Sequence, residues 1–298
     1  MLMPMINVIS RRDFLGRGVA AAGLALTSTA PLLHAQDAAD NAGLDFPIMD
    51  LHVHLDNSTL DRVLALPQVR GLKLGIVEHA GTKENVYPRV LSNDAELQGQ
   101  LDMLAGQALF RGVQAEWLDW MHCFSPEMAA KLDYVLTDAM TFPGKDGGRV
   151  KLWEADAPQR VDMSDKEAFM DRFVDWHVEI MAKEPFDIFA NVSWLPAPLA
   201  DDYDHYWTEA RVEKLVTAAV KYGVALEISS SFKVPRLPFL KIAKAAGVKF
   251  SFGSNGRYPD MGKLDYSIAM ARELGLTKAD MFTPAPDGQK AVQRRKWS

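Results

Sequence analysis

Two imidazoles stand two residues apart in Asp50-Leu51-His52-Val53-His54. Along a β-strand alternate side chains share a face, so Asp50, His52 and His54 are expected to point one way and Leu51 and Val53 the other. Paired imidazoles at a strand end suit Zn²⁺, Mn²⁺ or Fe²⁺. Glu78-His79 closes the apolar run Leu72-Lys73-Leu74-Gly75-Ile76-Val77, and Glu116 stands late in Val113-Gln114-Ala115-Glu116-Trp117. Taken singly, each is as readily a capped or ion-paired strand end. Three successive strands ending in His-x-His, Glu-His and Glu form a pattern that core packing does not require.

The elements that must position these groups alternate along the chain. Strands are predicted at Ile48–His54, Leu72–Glu78, Gly112–Trp117, Asp133–Asp138, Asp187–Ser193, Ala225–Ser230 and Lys249–Ser254. Between them, Ser164 with Glu167 forms a capping-box pattern ahead of the stripe Phe169, Phe173, Trp176 and Ile180. A helix through Val212, Leu215 and Ala219 is expected to end at Gly223; another opens at Pro238 and closes at Gly247; Leu264–Leu274 ends at Gly275. This alternation predicts an α/β fold with a mainly parallel sheet, either a closed barrel or an open doubly wound sheet. In both, chemistry belongs at the C-terminal ends of the strands.

Asp50-Leu51-His52-Val53-His54, Ile76-Val77-Glu78-His79 and Val113-Gln114-Ala115-Glu116 resemble the first three motifs of the PHP (polymerase and histidinol phosphatase) superfamily. The likeness continues through Leu132–Leu136, Ala225–Ser229 and Phe252-Gly253-Ser254-Asn255-Gly256-Arg257, and spans roughly residues 47–275. It implies a distorted seven-stranded parallel β/α barrel with divalent metals at the strand C-termini and a phosphoesterase type of activity. His52, His54, His79 and Glu116 match family ligands. Four positions depart: histidines are usual near Met140 and where Ile188–Asn191 ends the fifth strand, and the final Ser-Asp-x-His reads Ser254-Asn255-Gly256-Arg257. The resemblance therefore implies at most one strongly held metal, on His52, His54, Glu116 and the uncharged amide of Asn255. A guanidinium repels cations, so Arg257 is expected to hold a substrate phosphate or carboxylate, or else to neutralise Glu116 or Glu227. Asn255-Gly256 is also a candidate for conversion to Asp, which would restore the family ligand.

Of the other histidines, His177 lies on the helical stripe and reads as a core residue. His122, after Trp117 and Trp120, is placed at the barrel rim. His205 sits in Asp201-Asp202-Tyr203-Asp204-His205-Tyr206-Trp207. That loop either contacts substrate or folds its aromatics onto the core. The expected assignment is His79 and Arg257 for catalysis, with Arg257, Asn191 and His205 for substrate binding. No Gly-x-Gly-x-x-Gly follows a strand, no phosphate-cradling Gly-Lys-Ser/Thr loop is present, and Gly253–Gly256 is not a nucleophile elbow.

At the N-terminus, Ser10-Arg11-Arg12-Asp13-Phe14-Leu15 precedes the apolar run Gly18–Leu26 and a cleavage-like Leu33-His34-Ala35. This order resembles a bacterial twin-arginine signal and implies the export machinery as a partner and a periplasmic or secreted destination. The run is too short to span a bilayer permanently. Residues 1–35 are therefore set apart from a single barrel domain over 36–298. Their removal takes away three arginines and one aspartate and leaves 30 basic against 38 acidic residues, a balance of −8. Such a surface gives no support for binding nucleic acid. The lone Cys123 excludes an internal disulfide, so stability rests on a core that a 48% hydrophobic composition can build. These readings point to an exported metal-dependent hydrolase of a phosphoester or related anionic small molecule. A lyase or isomerase acting on a sugar or sugar acid, and a barrel that binds a ligand without catalysis, stay open.

Overall fold

The computed structural model describes residues 43–295, so the signal reading of residues 1–35 lies outside the described residues. All seven expected strands form: β1 (Met49–Val53), β2 (Lys73–Ala80), β3 (Phe110–Ala115), β4 (Tyr134–Asp138), β5 (Ile188–Ala190), β6 (Ala225–Ser229) and β7 (Phe250–Gly253). They pair in parallel, each beside its neighbour in sequence. The sheet curls until β7 meets β1, where the His54 N–H donates to the Gly256 carbonyl (2.8 Å) and the Gly256 N–H to the His52 carbonyl (2.9 Å). The result is a distorted seven-stranded parallel β/α barrel. Beyond the expected elements, Val90–Leu91 adds a short pairing to the end of β2, and Thr141–Pro143 with Arg149–Lys151 forms a hairpin after β4. No helix among the described residues is long and apolar enough to cross a membrane.

Alternation along the strands splits the barrel interior into two layers. The lower one packs Met49 and Leu51 with Val77, Tyr134, Leu136, Ile188, Ala190 and Ala225. Tyr134 fills its centre because Gly75 and Gly112 flank it; a Cβ on Gly112 would lie 2.9 Å from the Tyr134 ring. The buried phenol donates to the Leu51 carbonyl at 2.6 Å. Two residues further along the strands, the same faces carry His79, Gln114, Asp138 and Glu227, all nearly inaccessible to solvent.

β1 departs from simple alternation. Its register against β2 slips between Asp50 and Val53, the signature of a β-bulge. Leu51 and His52 therefore both turn inward, while Val53 packs outside with Leu60, Val63 and Ile76. Asp50 does not share a face with His52 and His54, which corrects the strict-alternation expectation. Its carboxylate instead accepts from Ser254 N (3.0 Å), Ser254 Oγ (2.5 Å) and Gly262 N (2.9 Å), tying β1 to the segment that follows β7.

Helices cover the outside. The longest, Lys166–Lys183, buries the expected stripe of Phe169, Phe173, Trp176 and Ile180. Its cap is Asp165, which accepts from the Ala168 N–H at 3.0 Å, and not Ser164, whose hydroxyl donates to Asp162. Glu209–Tyr222 and Asp265–Leu274 end at left-handed Gly223 and Gly275, the conformation that glycine adopts without Cβ strain. His177 is fully buried, its Nε2 3.3 Å from the Ala139 carbonyl, with burial pulling its pKa down to about 4. Tyr203, Tyr206 and Trp207 fold onto the core.

At the C-terminal end of Lys166–Lys183, Glu184 is buried and accepts from Trp120 Nε1 at 2.8 Å. Burial pushes its pKa up from 4.5 to about 7. A carboxyl raised in the folded state contributes fully below its ordinary pKa and loses that contribution as pH rises through the folded value. Between pH 4.5 and about 7 Glu184 therefore turns from neutral to destabilising, by the order of 3 kcal/mol. Glu184→Gln keeps an acceptor for Trp120 and removes the charge. Thermal unfolding should find the variant about 5–10 °C more stable at pH 8 and near the parent at pH 4.5. A less stable variant at pH 8 contradicts this.

Candidate functional site

The upper layer of the barrel is a chain of polar contacts around one exceptional residue. His52 is held on both ring nitrogens, Nδ1 by Glu227 (2.7 Å) and Nε2 by the Gln114 amide oxygen (2.9 Å). Burial opposes charging this ring, and the Glu227 carboxylate overrides it, so its pKa is raised. Gln114 Nε2 donates to Glu116 at 2.6 Å, and Glu116 Oε1 accepts from His79 Nδ1 at 2.7 Å. Tyr87, from the loop after β2, donates its hydroxyl to Glu116 Oε2 (3.0 Å) and stacks on His79 with ring centres 3.5 Å apart. Burial opposes the Glu116 charge, but these donors hold its pKa below the usual range.

His54 is the exception. It is fully buried, stacks on His79 at 4.6 Å, and neither of its ring nitrogens has a partner. Burial, then the proximity of His79, His52 and Arg257, pushes its pKa well down and keeps the ring neutral. His79 Nε2 and Asp56 Oδ1 also lack partners. One ligand atom from each of His54, Asp56 and His79 lies within 4.8 Å of the others. Unpaired buried polar atoms cost free energy, so three converging on one point imply something that satisfies them.

The strand-end loops leave a cleft of about 340 Å³ that reaches this cluster at His79. Its floor includes His79, Gln114 and Asp138, its walls Tyr87, Met140, Trp153, Trp194 and Phe232, and its rim Asn255 and Arg257. Arg257 pairs through Nε with Asp56 Oδ2 at 2.8 Å and donates Nη1 to the Asn255 amide oxygen at 3.0 Å. Burial, then the Glu116 charge, pushes Asp138 up to about 7.

No protein-family model matches the chain, and no curated protein does. Among solved structures it is similar to histidinol phosphate phosphatase from Lactococcus lactis subsp. lactis Il1403, crystallised with zinc, L-histidinol and phosphate. The match has a TM-score of 0.53 at 15% identity and covers 84% of this chain and 99% of that one. This chain has a PHP-like barrel.

The donors of this PHP-like barrel fit a divalent metal. Two imidazoles and a carboxylate are a ligand set that could hold a catalytic zinc. Ligand atoms on one such ion lie about 3.5 Å apart, so a set spread over at most 4.8 Å needs only small side-chain movement. Glu116 on His79 Nδ1 completes the carboxylate–histidine pair that orients a metal-bound imidazole.

This set differs from the expected His52, His54, Glu116 and Asn255. His52 has no free nitrogen because Glu227 and Gln114 occupy both. Glu116 has its oxygens engaged by His79, Gln114 and Tyr87. Asn255 turns its amide oxygen to Arg257. Arg257 neutralises Asp56, not Glu116 or Glu227. Asn191, expected to contact substrate, is fully buried and saturated: its amide nitrogen donates to Asp138 (2.6 Å) and its oxygen accepts from Ser229 (2.8 Å). His205 stands outside the cleft in an exposed ion pair with Glu167 at 2.9 Å. His122 is exposed on the turn Leu118–His122. The Gly256 N–H, which would attack the Asn255 amide in a conversion to Asp, is engaged by the His52 carbonyl.

Four site residues escaped the motif reading. Asp138 and Gln114 carried a usable signal, a polar side chain on the inward face near the end of an apolar strand. Asp56 and Tyr87 carried none, since both reach the cluster from loops.

Proposed function

We propose that the protein is an exported metal-dependent hydrolase acting on a phosphoester or related anionic small molecule. The observation that carries this reading is the donor set of His54, Asp56 and His79, each keeping an unpartnered ligand atom, beside a guanidinium at the cleft rim. The likeness in fold to a phosphatase crystallised with zinc and phosphate supports it, and the Arg11-Arg12 signal supports export, which fractionation of cells making the full chain tests.

A divalent metal held by these three side chains would supply Lewis acidity and an acidified water. The chain does the rest. Arg257, anchored by Asp56 and Asn255, presents its charge to the cleft and orients the anionic group. Glu116 holds the His79 Nδ1 proton and so directs Nε2 inward. Asp138 lies on the cleft floor with a pKa near neutrality, about 7, and suits proton transfer to a leaving oxygen.

The test is metal content by mass spectrometry together with turnover of a phosphomonoester panel and a sugar-acid panel. One tightly held zinc, manganese or iron per chain and metal-dependent phosphate release are expected. Turnover of sugar acids alone replaces the hydrolase with the lyase or isomerase reading. Metal below stoichiometry with no turnover overturns both.

A further inference from the structure

The rim of the cleft is divided. Because the strands follow one another in sequence order around the barrel, the loops after them do too. Those after β7, β1 and β2 bring Arg257, Asp56 and Tyr87, the charged and hydrogen-bonding side. Those after β4, β5 and β6 bring Trp153, Trp194 and Phe232. Trp194 and Phe232 meet edge to face at 6.4 Å, while Trp153 and Phe232 leave 43% and 37% of their surface in water.

Exposed apolar side chains gathered in one place and rimmed by polar groups mark a ligand-binding surface. Among the described residues the exposed large aromatics are Trp153, Phe232 and Tyr258, and Tyr258 lines the hollow that adjoins the cleft through Asn255 and Arg257. All three therefore stand at one end of the barrel. We propose that the substrate joins an aromatic ring to its anionic group, the ring lying against Trp153, Trp194 and Phe232 while the anion sits at Arg257. This rests on the anionic-substrate reading above. A flat apolar ring loses nothing there and gains the offset or edge-to-face contacts that aromatic pairs prefer.

The experiment compares the affinities of phenylphosphonate, cyclohexylphosphonate and methylphosphonate by calorimetry, on the zinc-loaded protein. The three share a head group and do not hydrolyse. Phenylphosphonate should bind about tenfold more tightly than methylphosphonate and clearly more tightly than cyclohexylphosphonate. Trp153→Ala and Phe232→Ala, both at exposed positions, should each remove most of that advantage and leave methylphosphonate binding within about twofold. Equal affinity for all three overturns the aromatic subsite and leaves the hydrolase reading standing, as does a cyclohexyl ring that matches phenyl. Binding of none of them overturns the anionic-substrate reading itself.

Discussion

Replacing His54 with alanine is expected to abolish stoichiometric metal binding and to leave the metal-free protein about as stable as the parent. A buried imidazole with both nitrogens unpaired is an expense to the fold. Burying unpaired polar atoms costs about 1–3 kcal/mol each, and truncating a buried side chain to alanine costs a similar amount through the cavity left behind. For His54 the two effects oppose each other, so the melting temperature without metal should move by only a few degrees. With metal the comparison reverses. Losing one of three ligands should weaken affinity by more than about 100-fold, since changes to ligand-orienting partners alone cost about 10- to 100-fold. Zinc should raise the parent's melting temperature and leave the variant's unmoved. Calorimetric melts with and without zinc measure both. A large loss of stability without metal, or zinc stabilisation that survives, would show that His54 is there for packing.

Arg257→Met should move two quantities in opposite directions. The guanidinium is linked to the donor set through Asp56 Oδ2 and lines the cleft. Hydrogen bonds to charged groups contribute about 1.5–3 kcal/mol, so removing them should raise KM for a phosphomonoester about 10- to 150-fold. Freeing Asp56 from a fixed cation should at the same time strengthen zinc binding. If Arg257 only neutralises Asp56, the zinc affinity rises and KM stays where it was. If it only braces the loop after β7, affinity for metal and substrate fall together. Steady-state kinetics and zinc titration on the same preparation separate the three outcomes.

The site owes its chemistry to the different fates of chemically similar groups. His52 lies on β1 and His54 just past its end, yet one is clamped on both nitrogens and the other is free on both. Glu116 and Asp138 are both buried carboxyls at strand ends, but Glu116 meets an imidazole and a phenol donor and stays charged, while burial lifts Asp138 to about 7. What separates each pair is which donors the neighbouring strands bring within reach.

Much of this protein was legible in its residues. The seven strands and the principal helices follow from apolar runs, capping residues and glycine stops, which are local properties of the backbone. The position of the chemistry follows as well: with a side-chain period of two, Val77 leads to His79, Leu136 to Asp138 and Ala225 to Glu227, so each inward face that starts apolar ends polar. The composition of the candidate metal set was not legible. The bulge that turns Asp50 out and His52 in exists only through pairing with β2. Asp56 and Tyr87 arrive on loops, and Arg257 finds Asp56 only once β7 closes on β1. Which nitrogen or oxygen keeps a free lone pair is settled by partners far away in the chain, as in the contact between His52 and Glu227, 175 residues apart. The residue types and their spacing alone determined that histidines and carboxylates gather at the C-terminal end of a parallel sheet. Only the folded chain, by engaging some of those groups with one another, decided that His54, Asp56 and His79 keep unpaired ligand atoms.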